Sequence, residues 1–209
     1  MTTLNPSTGL FIVFEGGDAV GKTTQMRMLV PWLRERGVDP VVTRQPGGTS
    51  LGRKLRKLLL GPDHPELVSR AEALIYAADK AQHVEELIRP ALTEGQVVVC
   101  DRYVDSMIAY QGAGRVLDLA EVEQVARWAT GGLRPDLTVL LDADPADAVA
   151  TIRQQDRLEA AGLDFHRRAR AHFLRLASQA PDRYLVLDAR ESREAIAQQV
   201  AARVGSLIA

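Results

Sequence analysis

Short runs of apolar residues alternate along the chain with longer segments in which apolar residues recur every three or four positions. The short runs have the continuous apolar character of strands buried on both faces of a parallel sheet. They lie at residues 11–14, 40–43, 97–100, 137–141 and 184–187. The segments with helical periodicity lie at 24–36, 51–60, 66–89 (ending before Pro90), 119–130, 146–154, 162–178 and 193–208. This alternation predicts an α/β fold with a five-stranded parallel sheet flanked by helices on both faces.

The composition is that of an ordinary globular chain. With 209 residues, 46% of them apolar, and no long linker or repeat, the chain is predicted to form one domain, residues 1–209. Its net charge of −1 provides no global attraction for nucleic acid. No apolar run approaches the roughly 18 residues of a membrane span, and no secretory signal is visible. The lone cysteine, Cys100, fits a reducing compartment, so we expect a cytoplasmic protein without membrane or nucleic-acid partners.

The first predicted strand runs into a glycine-rich motif, Gly16-x-x-x-x-Gly21-Lys22-Thr23, and a helix follows. This is the spacing of a P-loop, in which backbone N–H groups and a helix N-terminus surround phosphate oxygens. Lys22 supplies a mobile charge for the outer phosphates, and Thr23 offers its hydroxyl to Mg²⁺. The competing interpretation is a glycine-rich turn that binds nothing. Because every fixed position and both flanks match, we predict a site for a nucleoside triphosphate.

Polar residues follow the other predicted strands, where open parallel sheets bind their ligands. They lie at 44–49, at 101–103 and from Asp142 onward. Asp101 closes a buried strand beside the P-loop, a position from which a carboxylate can hold Mg²⁺ through water. Arg102 has the planar fork that grips a phosphate with two parallel hydrogen bonds. The alternative is a helix N-cap aspartate followed by a surface arginine.

A charged segment at 153–159 contains Arg153 and Arg157 and is typical of a lid that brings positive charge over a transferring phosphoryl group. The alternative is a solvated basic helix face, which applies equally to Arg167, Arg168 and Arg170 farther along. The four histidines do not have metal-ligand spacing, and no zinc site is predicted.

Several ordered motifs together resemble those of bacterial thymidylate kinases, from about residue 9 to the end of the chain. The matching stretches are FEGGDAVGKTTQ, TRQPGGTSLG, LIYAADKAQHVEELIRPAL, DRYVDSMIAYQGAGR, RPDLTVLLD and DRLE. The resemblance implies the P-loop nucleoside monophosphate kinase fold, with a short helical lid at about residues 150–160. It also implies transfer of the γ-phosphoryl group of ATP to dTMP, dependence on Mg²⁺, and a homodimer, whose interface we expect on the helices between residues 66 and 130.

The resemblance further implies roles for individual positions. For ATP it implies the phosphate loop, the lid and a loop near the adenine: Gly16, Gly17, Asp18, Ala19, Val20, Gly21, Lys22, Thr23, Thr24, Arg153, Arg157, Ala189 and Arg190. For dTMP it implies Asp18, Arg44, Tyr76, Lys80, Arg102, Ser106, Met107, Tyr110 and Gln111. For Mg²⁺ it implies Thr23 and Asp101. The residues expected to act on the reacting phosphates are Lys22, Arg102, Asp18 and Arg153.

On the dTMP side, Tyr76 matches the aromatic that stacks on thymine, and Tyr110 matches the residue that packs against the deoxyribose. For either aromatic alone, packing in the core is the commoner outcome. Arg102 matches the arginine that holds the acceptor phosphate, and Asp18 is expected near that phosphate and the 3′-hydroxyl. No catalytic base is needed, because a phosphate monoester is already anionic at neutral pH. The protein must align two anions that repel each other and neutralise their charge.

The sequence departs from the family pattern in three residues and in the lid. Ala19 stands where the family usually has glycine, and a positive φ there adds strain of about 1 kcal/mol. Lys80 replaces an arginine that reaches the acceptor base, which keeps the charge but loses the planar fork. Met107 replaces a small polar residue near the same base. The predicted lid is shorter and less basic than in many bacterial members.

These departures leave two alternatives open. Lys80 and Met107 are compatible with a kinase for another pyrimidine deoxynucleotide, such as dUMP or a 5-modified dUMP, because an unpaired polar edge relaxes specificity. Ala19 and the reduced lid are compatible with a non-catalytic nucleotide-binding switch. Against the switch, the motif residues that hold phosphate and Mg²⁺ are all present.

Overall fold

The computed structural model describes residues 9–146, 158 and 161–208. Within this part of the chain, five strands form one parallel sheet in the order β2-β3-β1-β4-β5. The strands are β1 (Leu10–Gly16), β2 (Val41–Arg44), β3 (Val97–Asp101), β4 (Leu137–Asp142) and β5 (Tyr184–Asp188). The prediction of an α/β fold with a five-stranded parallel sheet is confirmed.

Helices cover both faces of this sheet. They are α1 (Lys22–Arg34), α2 (Ser50–Leu60), α3 (Ser69–His83), α4 (Arg89–Thr93), α5 (Val104–Met107), α6 (Leu119–Ala129), α7 (Leu163–Gln179) and α8 (Arg193–Ile208). A π-helical turn, Val84–Ile88, joins α3 to α4, and a second, Ile108–Gly114, extends α5. A short 3₁₀ turn, Pro181–Arg183, precedes β5. None of the described helices is long and apolar enough to cross a membrane.

The central strands are buried on both faces, because successive side chains of a strand point to opposite sides of the sheet. Ile12 of β1 belongs to a cluster with Leu33 of α1 and Val204 of α8. Its neighbour Phe11 belongs to a cluster on the opposite face, where its ring centroid lies 5.0 Å from that of Tyr103. Burial on two faces explains why the sequence of these strands shows no alternation of apolar and polar residues.

The parallel register brings the carboxyl ends of the strands to one edge. Asp101 at the end of β3 is in register with Arg44 of β2 on one side and with Phe14 of β1 on the other. Gly16 at the end of β1 is in register with Leu141 of β4. The polar segments that follow these strands therefore meet at one edge of the sheet, where the P-loop also lies.

Two details of the predicted elements are wrong. The second strand was predicted to be buried, but β2 lies at the edge of the sheet, where Val42 is 50% exposed. The predicted helix end before Pro90 is also wrong, because the helical chain continues to Thr93. Pro90 is tolerated there because the π-helical turn just before it shifts the hydrogen-bond pattern. Pro90 then occupies the first turn of α4, where its missing N–H costs little.

Candidate active site

The phosphate loop follows β1 and leads into α1. Gly16 has φ = 129° and Gly21 has φ = 96°, conformations that glycine adopts without steric cost. A Cβ atom on Gly16 would lie 2.3 Å from the carbonyl oxygen of Leu141 in β4, so space also requires glycine here. Ala19 has φ = 59°, in the left-handed region, so its Cβ causes the backbone strain that we expected at this position. The loop curls as a P-loop does and ends at the N-terminus of α1.

Lys22 begins α1, and its side chain folds back over the phosphate loop. Its Nζ donates to the carbonyl oxygen of Gly17 and, at 3.3 Å, to that of Gly16. The pKa of Lys22 is lowered to about 8, chiefly by burial and also by the charge of Arg102, while Asp18 opposes the shift. A phosphate anion in the loop is the kind of partner that would compensate this buried charge.

Thr23 and Asp101 lie side by side at the start of α1 and the end of β3. The Thr23 hydroxyl is 3.4 Å from Asp101 Oδ2. Asp101 Oδ1 is buried and has no hydrogen-bond partner among the described residues. A hydroxyl and a carboxylate are hard oxygen donors of the kind that Mg²⁺ prefers, and Mg²⁺ usually takes few protein ligands beside water and phosphate oxygens. The two residues therefore fit a Mg²⁺ ion, and the unpartnered Oδ1 supplies an oxygen for it.

Arg102 lies directly after β3 and points into the same cleft. Its backbone has φ = 65°, in the left-handed region. Its Nη1 donates to the carbonyl oxygen of Gly16 at 2.8 Å and to Ser106 Oγ at 3.1 Å, and its Nη2 forms an ion pair with Asp18. Its guanidinium carbon lies 5.3 Å from the ring centroid of Tyr110. Arg102 thus links the phosphate loop to α5 and the π-helical turn that follows it.

Asp18 is the carboxylate of this cluster. Burial by itself raises the pKa of Asp18, but the positive charges of Arg102 and Lys22 outweigh burial and hold the pKa below its usual range. Asp18 is therefore ionised at neutral pH. It partly neutralises the two cations that flank the loop, so they can lie close together before an anionic ligand arrives.

Glu15 holds the turn after β3 that carries Arg102, a role that the sequence analysis did not assign to it. The side chain is fully buried at the end of β1. Its Oε1 accepts from the backbone N–H of Tyr103 at 2.8 Å and of Ser106 at 3.2 Å, and its Oε2 accepts from the Ser106 hydroxyl at 2.5 Å. Three donors compensate the burial of this carboxylate. The sequence signal for it is an acidic residue at the end of an otherwise apolar strand.

A cavity of about 450 Å³ runs along the phosphate loop. It is lined by Asp18, Ala19, Val20, Gly21, Lys22, Thr23, Thr24, Arg44, Gln45, Arg56, Asp101 and Arg102. Arg44 is exposed at the end of β2 and lies on this phosphate side. The sequence predicts that Arg44 lies on the acceptor side, and this stays a prediction, since Arg44 lines this cavity and not the smaller one described next.

A smaller cavity, of about 70 Å³, lies on the other side of Arg102. All residues predicted for the acceptor except Arg44 line it: Asp18, Tyr76, Lys80, Arg102, Ser106, Met107, Tyr110 and Gln111. Its other lining residues are Gln45 and Pro46, from the polar stretch 44–49, and Arg56, Leu60 and Leu158, to which the sequence analysis gave no role. We call this space the acceptor cavity. Asp18 and Arg102 line both cavities and mark the point where the two meet.

Lys80 enters the acceptor cavity from α3 as part of a buried chain of polar side chains. Its Nζ donates to Gln45 Oε1 at 3.0 Å, and the Gln45 amide nitrogen lies 2.9 Å from His83 Nδ1. His83 Nε2 lies 2.7 Å from the Thr43 hydroxyl. Burial lowers the pKa of His83 to about 4, so the ring is neutral, accepts at Nδ1 and donates from Nε2. Each bond in the chain thus has a fixed direction, and this orients the Gln45 carbonyl toward Lys80.

Apolar groups form much of the remaining wall. Met107 is 1% exposed, and Tyr76 on α3 is also buried. Tyr110 is held by Phe165 of α7, with ring centroids 5.7 Å apart and planes 15° apart. The thioether of Met107 offers no strong hydrogen bond. A flat ring with apolar faces and a polar edge suits this lining.

The remaining predicted residues lie farther from these cavities or outside the described chain. Ala189 follows β5, and its N–H donates to the Asp142 carbonyl oxygen at 2.8 Å, at the same edge of the sheet as the phosphate loop. The Arg190 side chain bonds its neighbour Asp188. Arg153 and Arg157 lie outside the described residues.

The other arginines of the basic region bond within the fold. Arg168 donates to the Gly114 carbonyl oxygen at 2.8 Å. Arg170 grips Asp142 at the end of β4 with two hydrogen bonds of 2.7 and 2.8 Å. Arg167 is exposed, and its Nη1 lies 3.5 Å from Asp164. These contacts favour structural roles for Arg168 and Arg170 over a role in a lid.

Comparison with known proteins identifies the relatives of this chain. The family model described as thymidylate kinase matches residues 14–200. A thymidylate kinase of Cutibacterium acnes is 58% identical over 200 residues, covering 96% of this chain and 98% of the relative. One of Clavibacter sepedonicus is 54% identical, covering 97% of each. The crystal structure of thymidylate kinase from Ehrlichia chaffeensis superposes with a TM-score of 0.77 at 31% identity, covering 94% of this chain and 98% of that one.

Proposed function

The chain belongs to the thymidylate kinase family, and from this premise we propose how its residues divide the work of a nucleotide kinase. The reaction is the phosphorylation of dTMP by ATP, which gives dTDP and ADP. The resemblance found in the sequence is therefore confirmed. The comparisons favour neither another pyrimidine acceptor nor a non-catalytic switch.

We assign the ATP phosphates to the phosphate loop. The loop ends at the N-terminus of α1, where backbone N–H groups lack partners within the helix, and Lys22 folds over it with a charge that burial disfavours. Thr23 and Asp101 would hold Mg²⁺, whose charge neutralises the oxygens of the transferring phosphate. Ala189 and Arg190 are proposed to lie near the adenine.

We assign dTMP to the acceptor cavity. Arg102 binds its phosphate, with Asp18 beside it, and Tyr110 packs against the deoxyribose. Tyr76, Lys80, Ser106, Met107 and Gln111 surround the thymine. Arg44 is exposed on the phosphate side, so we assign it to the entrance between the two nucleotides.

The observation that best supports this assignment of the two nucleotides is the position of Arg102. Its guanidinium lines both cavities, contacts the loop carbonyl of Gly16 and is paired with Asp18. A guanidinium between two phosphate sites can align the two anions and lower their mutual repulsion. The dTMP phosphate attacks as an anion, so the cleft needs no catalytic base.

Several features follow from the family and stay proposals. The lid at about residues 150–160, with Arg153 and Arg157, would close over ATP as part of the single domain. The protein would be a cytoplasmic homodimer. Exposed apolar side chains lie on or just before the helices proposed for the dimer interface, among them Val68, Leu74 and Trp128, which are 65%, 55% and 84% exposed. Light scattering at micromolar concentration would give twice the chain mass if this is correct.

The function is tested by coupled ADP release with Mg-ATP and a panel of acceptors: dTMP, dUMP, 5-substituted dUMP, dCMP, UMP and none. We expect selective turnover with dTMP. Preference for another pyrimidine would make Lys80 and Met107 determinants of a different specificity. ATP binding without turnover of any acceptor would contradict the assignment as a kinase.

A further inference from the structure

A buried ion pair lies behind the acceptor cavity. Glu72 is on α3, one turn before Tyr76, and its side chain is fully buried. Arg115 donates to it with Nε at 3.3 Å from Oε1 and Nη2 at 3.2 Å from Oε2. The amide nitrogen of Gln111 donates to Glu72 Oε1 at 2.8 Å. Gln111 lines the acceptor cavity, whereas Glu72 and Arg115 stand behind it.

The charge of Glu72 fixes which end of the Gln111 amide faces the cavity. A carboxylate paired with an arginine is ionised and can only accept hydrogen bonds. Gln111 must therefore turn its NH₂ group toward Glu72, which directs the amide oxygen away from it. Within the described part of the chain, no residue donates to this oxygen.

The ion pair is itself held in place. The guanidinium carbon of Arg115 lies 5.0 Å from the ring centroid of Phe165, and Phe165 stacks on Tyr110 in the cavity wall. Movement of Arg115 would therefore disturb Phe165 and, through it, Tyr110, which lines the acceptor cavity. This anchoring restricts rotation of Glu72 and, through it, of Gln111.

We propose that Glu72 is a specificity-determining positioning residue, which makes Gln111 present an acceptor to the N3–H of a thymine or uracil ring. This inference rests on the acceptor cavity being the base site proposed above. Cytosine carries a lone pair at N3, and the amide oxygen of Gln111 would repel this lone pair. Rotation of the amide to suit cytosine would bring its oxygen against the Glu72 carboxylate. Glu72 thus selects against cytosine without touching the base.

Glu72→Gln tests this inference, because an amide at position 72 can donate as well as accept and lets Gln111 rotate. The measured quantities are kcat/KM for dTMP and for dCMP and the KM for ATP. We expect kcat/KM for dTMP to fall about tenfold and the dTMP-to-dCMP ratio to narrow about tenfold or more. The KM for ATP should stay within about twofold, since the phosphate loop is untouched.

The control is Glu85→Gln, which removes an exposed carboxylate bonded to Arg89 and should leave the dTMP-to-dCMP ratio unchanged. If Glu72→Gln does not fold, Arg115→Lys is the second test variant. Lysine keeps the positive charge but cannot form the two parallel hydrogen bonds that Arg115 donates to Glu72. We expect it to narrow the ratio about threefold. An unchanged ratio in the folded variant would overturn the inference. Absence of dTMP turnover in the unsubstituted protein would instead overturn the proposed function.

Discussion

The two halves of the cleft are built by different means. The half that we assign to the ATP phosphates, here called the phosphate half, consists largely of one continuous segment, 18–24, which includes the N-terminus of α1. The half that we assign to the base, here called the base half, consists of side chains from α3, α5, the π-helical turn after α5 and the loop after β2. Buried polar contacts such as Lys80–Gln45 and Gln111–Glu72 hold these side chains. Arg102 lies where the halves meet.

This difference has a physical consequence for tolerance to substitution. Backbone N–H groups recognise phosphate whatever the side chain, provided the loop keeps its path, so Ala19 is accommodated with limited strain. The base half depends on the donor or acceptor character of individual side chains, so single substitutions there change which base fits. The departures at Lys80 and Met107 fall in this second half.

We expect the largest effect from Glu15, which holds the turn that carries Arg102 between the two halves. Glu15→Gln replaces an acceptor of three hydrogen bonds by an amide that can accept with one oxygen only. Arg102 should lose its fixed position, and kcat should fall about 10- to 100-fold. Steady-state kinetics with circular dichroism would check this, and Glu35→Gln on the exposed end of α1 serves as the control. Unchanged kcat in a folded variant would mean that Glu15 does not position Arg102.

The pH dependence of kcat/KM for ATP tests the phosphate half through the charge of Lys22. The pKa of Lys22 is lowered from 10.5 to about 8, chiefly by burial. Above pH 8 the free protein loses this charge, so kcat/KM for ATP should fall about tenfold per pH unit. Stability should move in the opposite direction, because between about pH 8 and 10.5 the unfolded chain binds more protons than the folded one. A flat kcat/KM profile from pH 7 to 9.5 would contradict the role of Lys22.

The smallest effect concerns the strain in the loop. Ala19→Gly removes a Cβ from a residue with φ = 59°. We expect stability to rise by about 1 kcal/mol, which is a rise in Tm of about 2–4 °C for a chain of this size. The dTMP-to-dCMP ratio should not change, because position 19 lies in the phosphate half. Thermal unfolding and the acceptor panel measure the two quantities, and a changed ratio would show that the halves are coupled through the loop.

The same contrast explains which residues could be predicted. The phosphate half is visible in the sequence because spacing alone places Gly16, Gly21, Lys22 and Thr23 in one turn. The parallel sheet was predictable because strands buried on both faces are uninterrupted apolar runs. Motif resemblance then named the residues that line the acceptor cavity. Its assignment of Arg44 to the acceptor side stays a prediction, and in the structure Arg44 lines the larger cavity at the end of the edge strand β2.

The supporting residues of the base half could not be predicted in this way. Glu72 and His83 look like ordinary polar residues of a helix, and only the packing of α3 buries them. The continuation of the helix through Pro90 was missed for a related reason, since a π-helical turn has no clear sequence signal.

Isothermal titration calorimetry with ATP alone and with dTMP alone tests most directly whether each half of the cleft binds its own nucleotide independently of the other half. Lys22→Met should weaken ATP binding at least tenfold and leave dTMP binding within about threefold of the unsubstituted protein. Gln111→Ala should do the reverse, because it removes the acceptor for the base and leaves the phosphate loop intact. Equal loss of both nucleotides in either folded variant would contradict the account.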